Sequence, residues 1–129
     1  MIIRKPAEAQ FDFEGATFFI RQLTPGQRLH IGDISISKKM EIRTNEDGKR
    51  EAAQLIEPNP AAEREFVVKT VVTGWEGVKD TEGNDLPCTD ENKLLLLDAV
   101  DGFYDFLFES LNKLDENAAV SAKAEEKNS

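Results

Sequence analysis

Residues 93–114, KLLLLDAVDGFYDFLFESLNKL, constrain the possible folds of this chain more than any other stretch. A helix over KLLLLDAV is apolar on every side, so it must be central to a core or covered by another chain. The following GFYDFLFESLNKL places Phe103, Phe106, Leu107, Ser110, Leu111 and Leu114 at helical spacing, and Tyr104 and Phe108 widen the stripe. Most of this stripe reads as hydrophobic core. It is nevertheless broader than one buried face needs, and surplus exposed apolar area marks association surfaces. Leu94, Leu95, Leu97, Phe103, Phe106 and Phe108 are therefore the candidate core or partner-contact residues.

A core of that kind needs helices to cover it, and the capping signals supply them. Thr24 precedes Pro25, with Gln27 three residues after the cap, which is a capping-box arrangement. The helix it starts is expected to run to about Arg43, although Ile34, Ile36, Met40 and Ile42 also fit a period of two. TNEDGKRE at 44–51 and EPNP at 57–60 are breakers, and EAAQLI between them makes at most two helical turns. Asn59 and Pro60 open a second major helix, whose Val67, Val68, Val71, Val72 and Trp75 form one stripe. Gly74 suits its C-terminal end, and the valines keep a strand as the alternative. Thr89 caps a third helix, with Asp90 and Glu91 in its electropositive first turn.

Ahead of these helices, FDFEGATFFI alternates and turns at Gly15, which predicts a short β-hairpin at about 11–21. The expected fold class is mainly α, a small helical domain with a short N-terminal β-hairpin. The single domain is expected over 1–115. Beyond it, 116–129 is expected to be a flexible acidic tail, because DENAAVSAKAEEKNS has no large apolar residue beyond Val120.

The chemistry of the chain argues against an enzyme. A chain of 129 residues buries about two-thirds of its unfolded surface and needs no disulfide or metal staple. Its one cysteine, Cys88, reads as a free thiol, and its one histidine, His30, lies far away in sequence with no signature linking the two. In DTEGNDLPCTDE the carboxylates Asp80, Glu82 and Asp85 surround Gly83, but the glycine falls fourth where a calcium loop needs it sixth. No catalytic residue, cofactor or metal ligand is expected. A formal net charge of −9, of which residues 76–101 carry −6, opposes nucleic-acid binding. The N-terminus lacks an apolar signal region, and no apolar run reaches the roughly 18 residues that span a bilayer, so a soluble protein is expected.

The segment 73–97 holds the only tryptophan, Trp75. A helix ending in VVTGWEGVKD, a D-x-x-G-x-x-L-P turn, then TDENKLLLL and an aromatic-rich last helix resemble the tail assembly chaperones of bacteriophages with long, lambda-like, non-contractile tails. Trp75, Gly77, Val78, Asp80, Gly83, Leu86, Pro87, Thr89, Glu91 and Asn92 match the pattern of that family, over about 65–110. Cys88 departs from it, standing where the family often has an aromatic residue. The resemblance implies a non-enzymatic morphogenesis factor in the cytoplasm of the infected host, absent from the mature virion. It implies the tape measure protein and tail-tube subunits as partners, self-association into an oligomer, and a longer form made by programmed frameshifting within the codons of the closing AEEKNS. In this reading Trp75 and Gly77 hold the scaffold between two helices. The rival readings are a structural virion adaptor and an acidic nucleic-acid mimic that inhibits a host protein.

Overall fold

Glu14 and Gly15 both take left-handed backbone conformations (φ 50° and 79°), as the two-residue primed turn of a tight hairpin requires. They join β1 (Glu8–Phe13) to β2 (Ala16–Arg21), paired antiparallel with Phe13 opposite Ala16 and Phe11 opposite Phe18. The alternation of β2 sends Ala16, Phe18 and Ile20 into the core. In this computed structural model the backbone is described for residues 1–127 and side chains for residues 1–120.

The chain then forms α1 (Pro25–Ile34), β3 (Ile36–Thr44), β4 (Arg50–Pro58), α2 (Pro60–Val71), β5 (Val72–Glu76), α3 (Asp90–Ala99) and α4 (Phe103–Lys127). β5 adds antiparallel to β2, giving a three-stranded sheet in the order β1-β2-β5, with a register shift between Phe19 and Ile20. β3 and β4 make a separate two-stranded ribbon. Three caps form as their residues predict. Thr24 and Gln27 close a reciprocal capping box, Asn59 accepts from the Ala62 amide, and Thr89 accepts from the Asn92 amide.

α4 lies over the three-stranded sheet. Phe103, Leu107, Ser110 and Leu114, at intervals of four, three and four, are its buried stripe. Ser110 satisfies its hydroxyl by donating to the Phe106 carbonyl at 2.8 Å. Rings of sheet and helix interlock: Phe13 stacks on Phe106 with centroids 4.7 Å apart, Phe18 lies 5.4 Å from Phe103, and Trp75 meets Phe18 edge-on at 6.0 Å. Val67, Val68 and Val71 of α2 and Leu96 of α3 complete the core.

The expectation of a mainly α fold is overturned. The described residues hold four helices and five strands in two antiparallel sheets, a mixed α/β architecture. Three misreadings account for the difference. The first helix ends at Ile34 and not near Arg43, because the β-branched, period-two run Ile36–Thr44 pairs along its whole length with β4. EAAQLI is part of that partner strand and makes no helical turns. The second helix stops at Val71, since Val72–Glu76 finds an open edge on β2; Gly74 lies within β5, and a Cβ there would stand 3.3 Å from the Phe19 ring. From Asp115 onward, where fraying or disorder was expected, α4 continues to Lys127; the last two residues of the expected tail, 128 and 129, lie outside the described residues.

Candidate functional site

The leucine run divides its work around α3. Leu96 enters the core, Leu94 and Leu97 face a cleft, and Leu95 is exposed. The cleft, about 600 Å³ and open to solvent, lies between α2, α3 and the start of α4. Its floor includes Phe103 and Tyr104, and the Arg64 guanidinium lies over the Tyr104 ring at 5.4 Å from the centroid. Burial pushes the Tyr104 phenol above its ordinary value and the Glu63 charge adds to that, with Arg64 opposing. Glu65, Asp98, Asp101 and Asp105 also line the cleft and make its rim acidic.

Phe106 borders a different depression, about 470 Å³, with Phe11 and Phe13. The structure thus brings Leu94, Leu97 and Phe103 together, places Phe106 on the sheet side of α4, and leaves Phe108 58% exposed. The wide stripe is therefore one buried seam, Phe103 included, with two half-covered flanks and an outward phenylalanine.

Trp75 and Gly77 anchor the connection between β5 and α3. The Trp75 indole donates from Nε1 to the Leu86 carbonyl at 2.8 Å, Gly77 turns the chain at φ 80°, and the Leu86 amide donates to the Val78 carbonyl. Asp80 Oδ1 accepts from the Glu82 and Asn84 amides, both at 2.9 Å, so this carboxylate is engaged in closing its own turn. Asn92 donates from Nδ2 to the Pro87 carbonyl and ties the loop to α3. Among the described residues no group of three or more His, Cys, Asp or Glu side chains is placed to hold a metal ion, and no helix is long and apolar enough to cross a membrane.

Cys88 packs partly against the core, and burial raises its thiol above the ordinary 9.0; Lys93 pulls against that shift and Asp90 adds to it. The thiol is therefore protonated near neutrality, the opposite of an activated nucleophile. His30 meets Phe66 edge-on at 4.8 Å between centroids.

The β3–β4 ribbon carries a surface that the sequence reading missed. Its register puts Ile36, Met40, Ile42 and Ile56 on one face, with Ala52 and with Lys38 and Gln54 between them, and all four large apolar side chains are exposed, Met40 by 70% and Ile42 by 74%. Isolated two-stranded ribbons are marginal in water, and an apolar face of this kind is where a partner gains most by binding. The sequence signal for it is the period-two spacing of Ile34, Ile36, Met40 and Ile42, which also fits the helix expected to run to about Arg43.

A family model described as YdaY prophage protein matches residues 34–128, from the end of α1 through the ribbon to α4. No curated protein and no solved structure matches the chain.

Proposed function

The chain belongs to the YdaY prophage protein family and is phage-derived, and from that premise we propose that it is a non-catalytic tail assembly chaperone. In this reading it acts in the host cytoplasm, holds the apolar faces of the tape measure protein until tail-tube subunits assemble around it, and is absent from the mature virion. The observation that carries the reading is apolar surface on display: the unpacked face of Ile36, Met40, Ile42 and Ile56, together with Leu95 and Phe108 on the helices. Helical clients dock through apolar faces of their own, and the cleft beside α3 is a second helix-facing surface. The acidic rim of that cleft favours client segments bearing Lys or Arg. The resemblance around Trp75 and Thr89 contributes the client's identity. A longer, frameshifted form of the chain is part of the same proposal.

Co-expression with the tape measure protein of the same prophage tests it. The expected result is a soluble complex that contains this chain, with the tape measure protein insoluble when expressed alone. Failure to co-purify would reject the chaperone, and recovery of this chain from purified tailed particles would reject it in favour of a virion component.

A further inference from the structure

We propose that two copies of this chain join edge to edge through β3, forming a continuous four-stranded antiparallel sheet in the order β4-β3-β3-β4. This deepens the chaperone reading, on which it rests for the role of self-association, by assigning that self-association to a surface through the geometry and charges of the ribbon.

Both ribbon edges are free of strand neighbours among the described residues. The direction of the backbone groups on each edge follows from the hydrogen bonds at the two ends of the ribbon. Asn59 donates to the Ser35 carbonyl at 2.6 Å and Asn45 to the Lys49 carbonyl at 2.8 Å. Because Ile36 pairs with Pro58 and Thr44 with Arg50, these bonds put the odd-numbered residues of β3 in the hydrogen-bonded pairs with β4. The even-numbered residues, Ile36 to Thr44, therefore direct their N–H and C=O groups to the open edge. Pro58 fits the same assignment, since it lacks an N–H and sits opposite Ile36 in a non-hydrogen-bonded pair.

An antiparallel pairing of β3 with its copy must then set even-numbered residues opposite even-numbered ones, with the two-fold axis passing through a residue. Centred on Met40 it uses the full nine-residue strand and makes about ten backbone hydrogen bonds, five pairs exchanging two each. Met40 meets Met40 of the second copy, and Lys38 meets Ile42. In the closer, non-hydrogen-bonded positions Lys39 meets Glu41 twice, once on each side of the two-fold axis, so the register is charge-complementary. Centring on Lys38 or Lys39 sets lysine against lysine, centring on Glu41 sets glutamate against glutamate, and each shortens the overlap, while centring on Ile42 leaves only residues 40–44 paired.

The edge of β4 offers no equivalent. Its full-length register centres on Gln54 and places Glu51 against Glu57 of the copy twice, with Pro58 at the end unable to donate. β3 is therefore the edge that recognises itself. It also extends the apolar face, since Ile36, Met40 and Ile42 of both copies lie on the same side of the joined sheet.

The test uses the purified full chain alone, so its outcome is separable from capture of the tape measure protein. Sedimentation should show a dimer. Met40→Pro removes an N–H that the ribbon itself does not use, and it should weaken association tenfold or more with the circular dichroism spectrum unchanged. Lys39→Glu and Glu41→Lys should each weaken self-association, because each sets like charges opposite one another. An equimolar mixture of the two should restore the dimer as a heterodimer. In a Cys88→Ser background, Met40→Cys should form an intermolecular disulfide, its Cα atoms being about 5.5 Å apart in such a pair. Ile42→Cys should not, because its copies would stand about 13 Å apart along the strands. A monomer at every concentration, equal cross-linking at 40 and 42, or no rescue on mixing would overturn the proposal, and the last two decide the matter even if Met40→Pro fails to fold.

Discussion

Replacing Phe103 by alanine should cost this protein about 3–5 kcal/mol, the range for removing a buried phenylalanine ring. The structure argues for the upper half of that range. Phe103 is 1% exposed, and its ring meets Phe18 at 5.4 Å and Phe13 and Phe106 at 6.2 Å each. Three aromatic pairs lose a partner, each worth about 0.5–1.5 kcal/mol beyond its buried area. The hole lies between α4 and the sheet, where the hairpin holds Phe13 and Phe18 in place and limits collapse. Against a total stability of about 5–15 kcal/mol the loss is large but leaves a folded population to measure. Urea unfolding followed by circular dichroism reads it directly, as a fall in midpoint of about 2 M at a slope near 2 kcal/mol per M. Phe108→Ala is the internal control, on the same helix and in the same sequence stripe but 58% exposed, with an expected change below about 1 kcal/mol. Equal losses at the two positions, or a loss under about 1 kcal/mol at Phe103, would refute the placement of α4 on the sheet.

Three further perturbations probe the parts that hold the helices and the loop. Lys93 is buried, donates from Nζ to the Lys69 carbonyl at the end of α2 (3.2 Å) and pairs with Asp90 at 3.6 Å; Lys93→Met keeps the stem, removes the cap, and should lower stability by about 1–2 kcal/mol in thermal unfolding. Trp75→Phe leaves the Leu86 carbonyl without its indole donor, and should cost about 1–3 kcal/mol and speed proteolysis within residues 79–88. Burial raises the Cys88 thiol and the Tyr104 phenol above their ordinary 9.0 and 10.0, so the unfolded chain loses these protons first as pH rises. Their contribution is fully present below about pH 9 and is lost progressively above it, so urea midpoints should fall with alkalinity, and Cys88→Ser should remove the earlier part of the fall. A midpoint that rises above pH 9 would reverse the assigned sign.

Local chemistry was sufficient for the helix starts and the first turn. Thr24 with Gln27, Asn59 with Pro60, and Thr89 with its acidic first turn cap where their residue types predict, because a cap satisfies backbone donors within three residues of itself. Gly15 turns the hairpin for an equally local reason, its tolerance of positive φ. The sequence also marked Val67, Val68, Val71, Leu107 and Leu114 as buried through their spacing.

What needed tertiary structure was everything decided by a distant partner. Whether Val72–Glu76 continues a helix or becomes a strand depends on the free edge of β2, some fifty residues earlier, and whether Ile36–Thr44 is strand depends on β4 returning beside it. Helix and strand readings of these β-branched runs differ little in local free energy, so pairing tips the balance. The same holds for the candidate site. Composition showed that 93–114 carried more apolar surface than one face requires. Only packing separated Phe103 in the core from Phe108 in solvent, and only strand register gathered Ile36, Met40, Ile42 and Ile56 onto one open face.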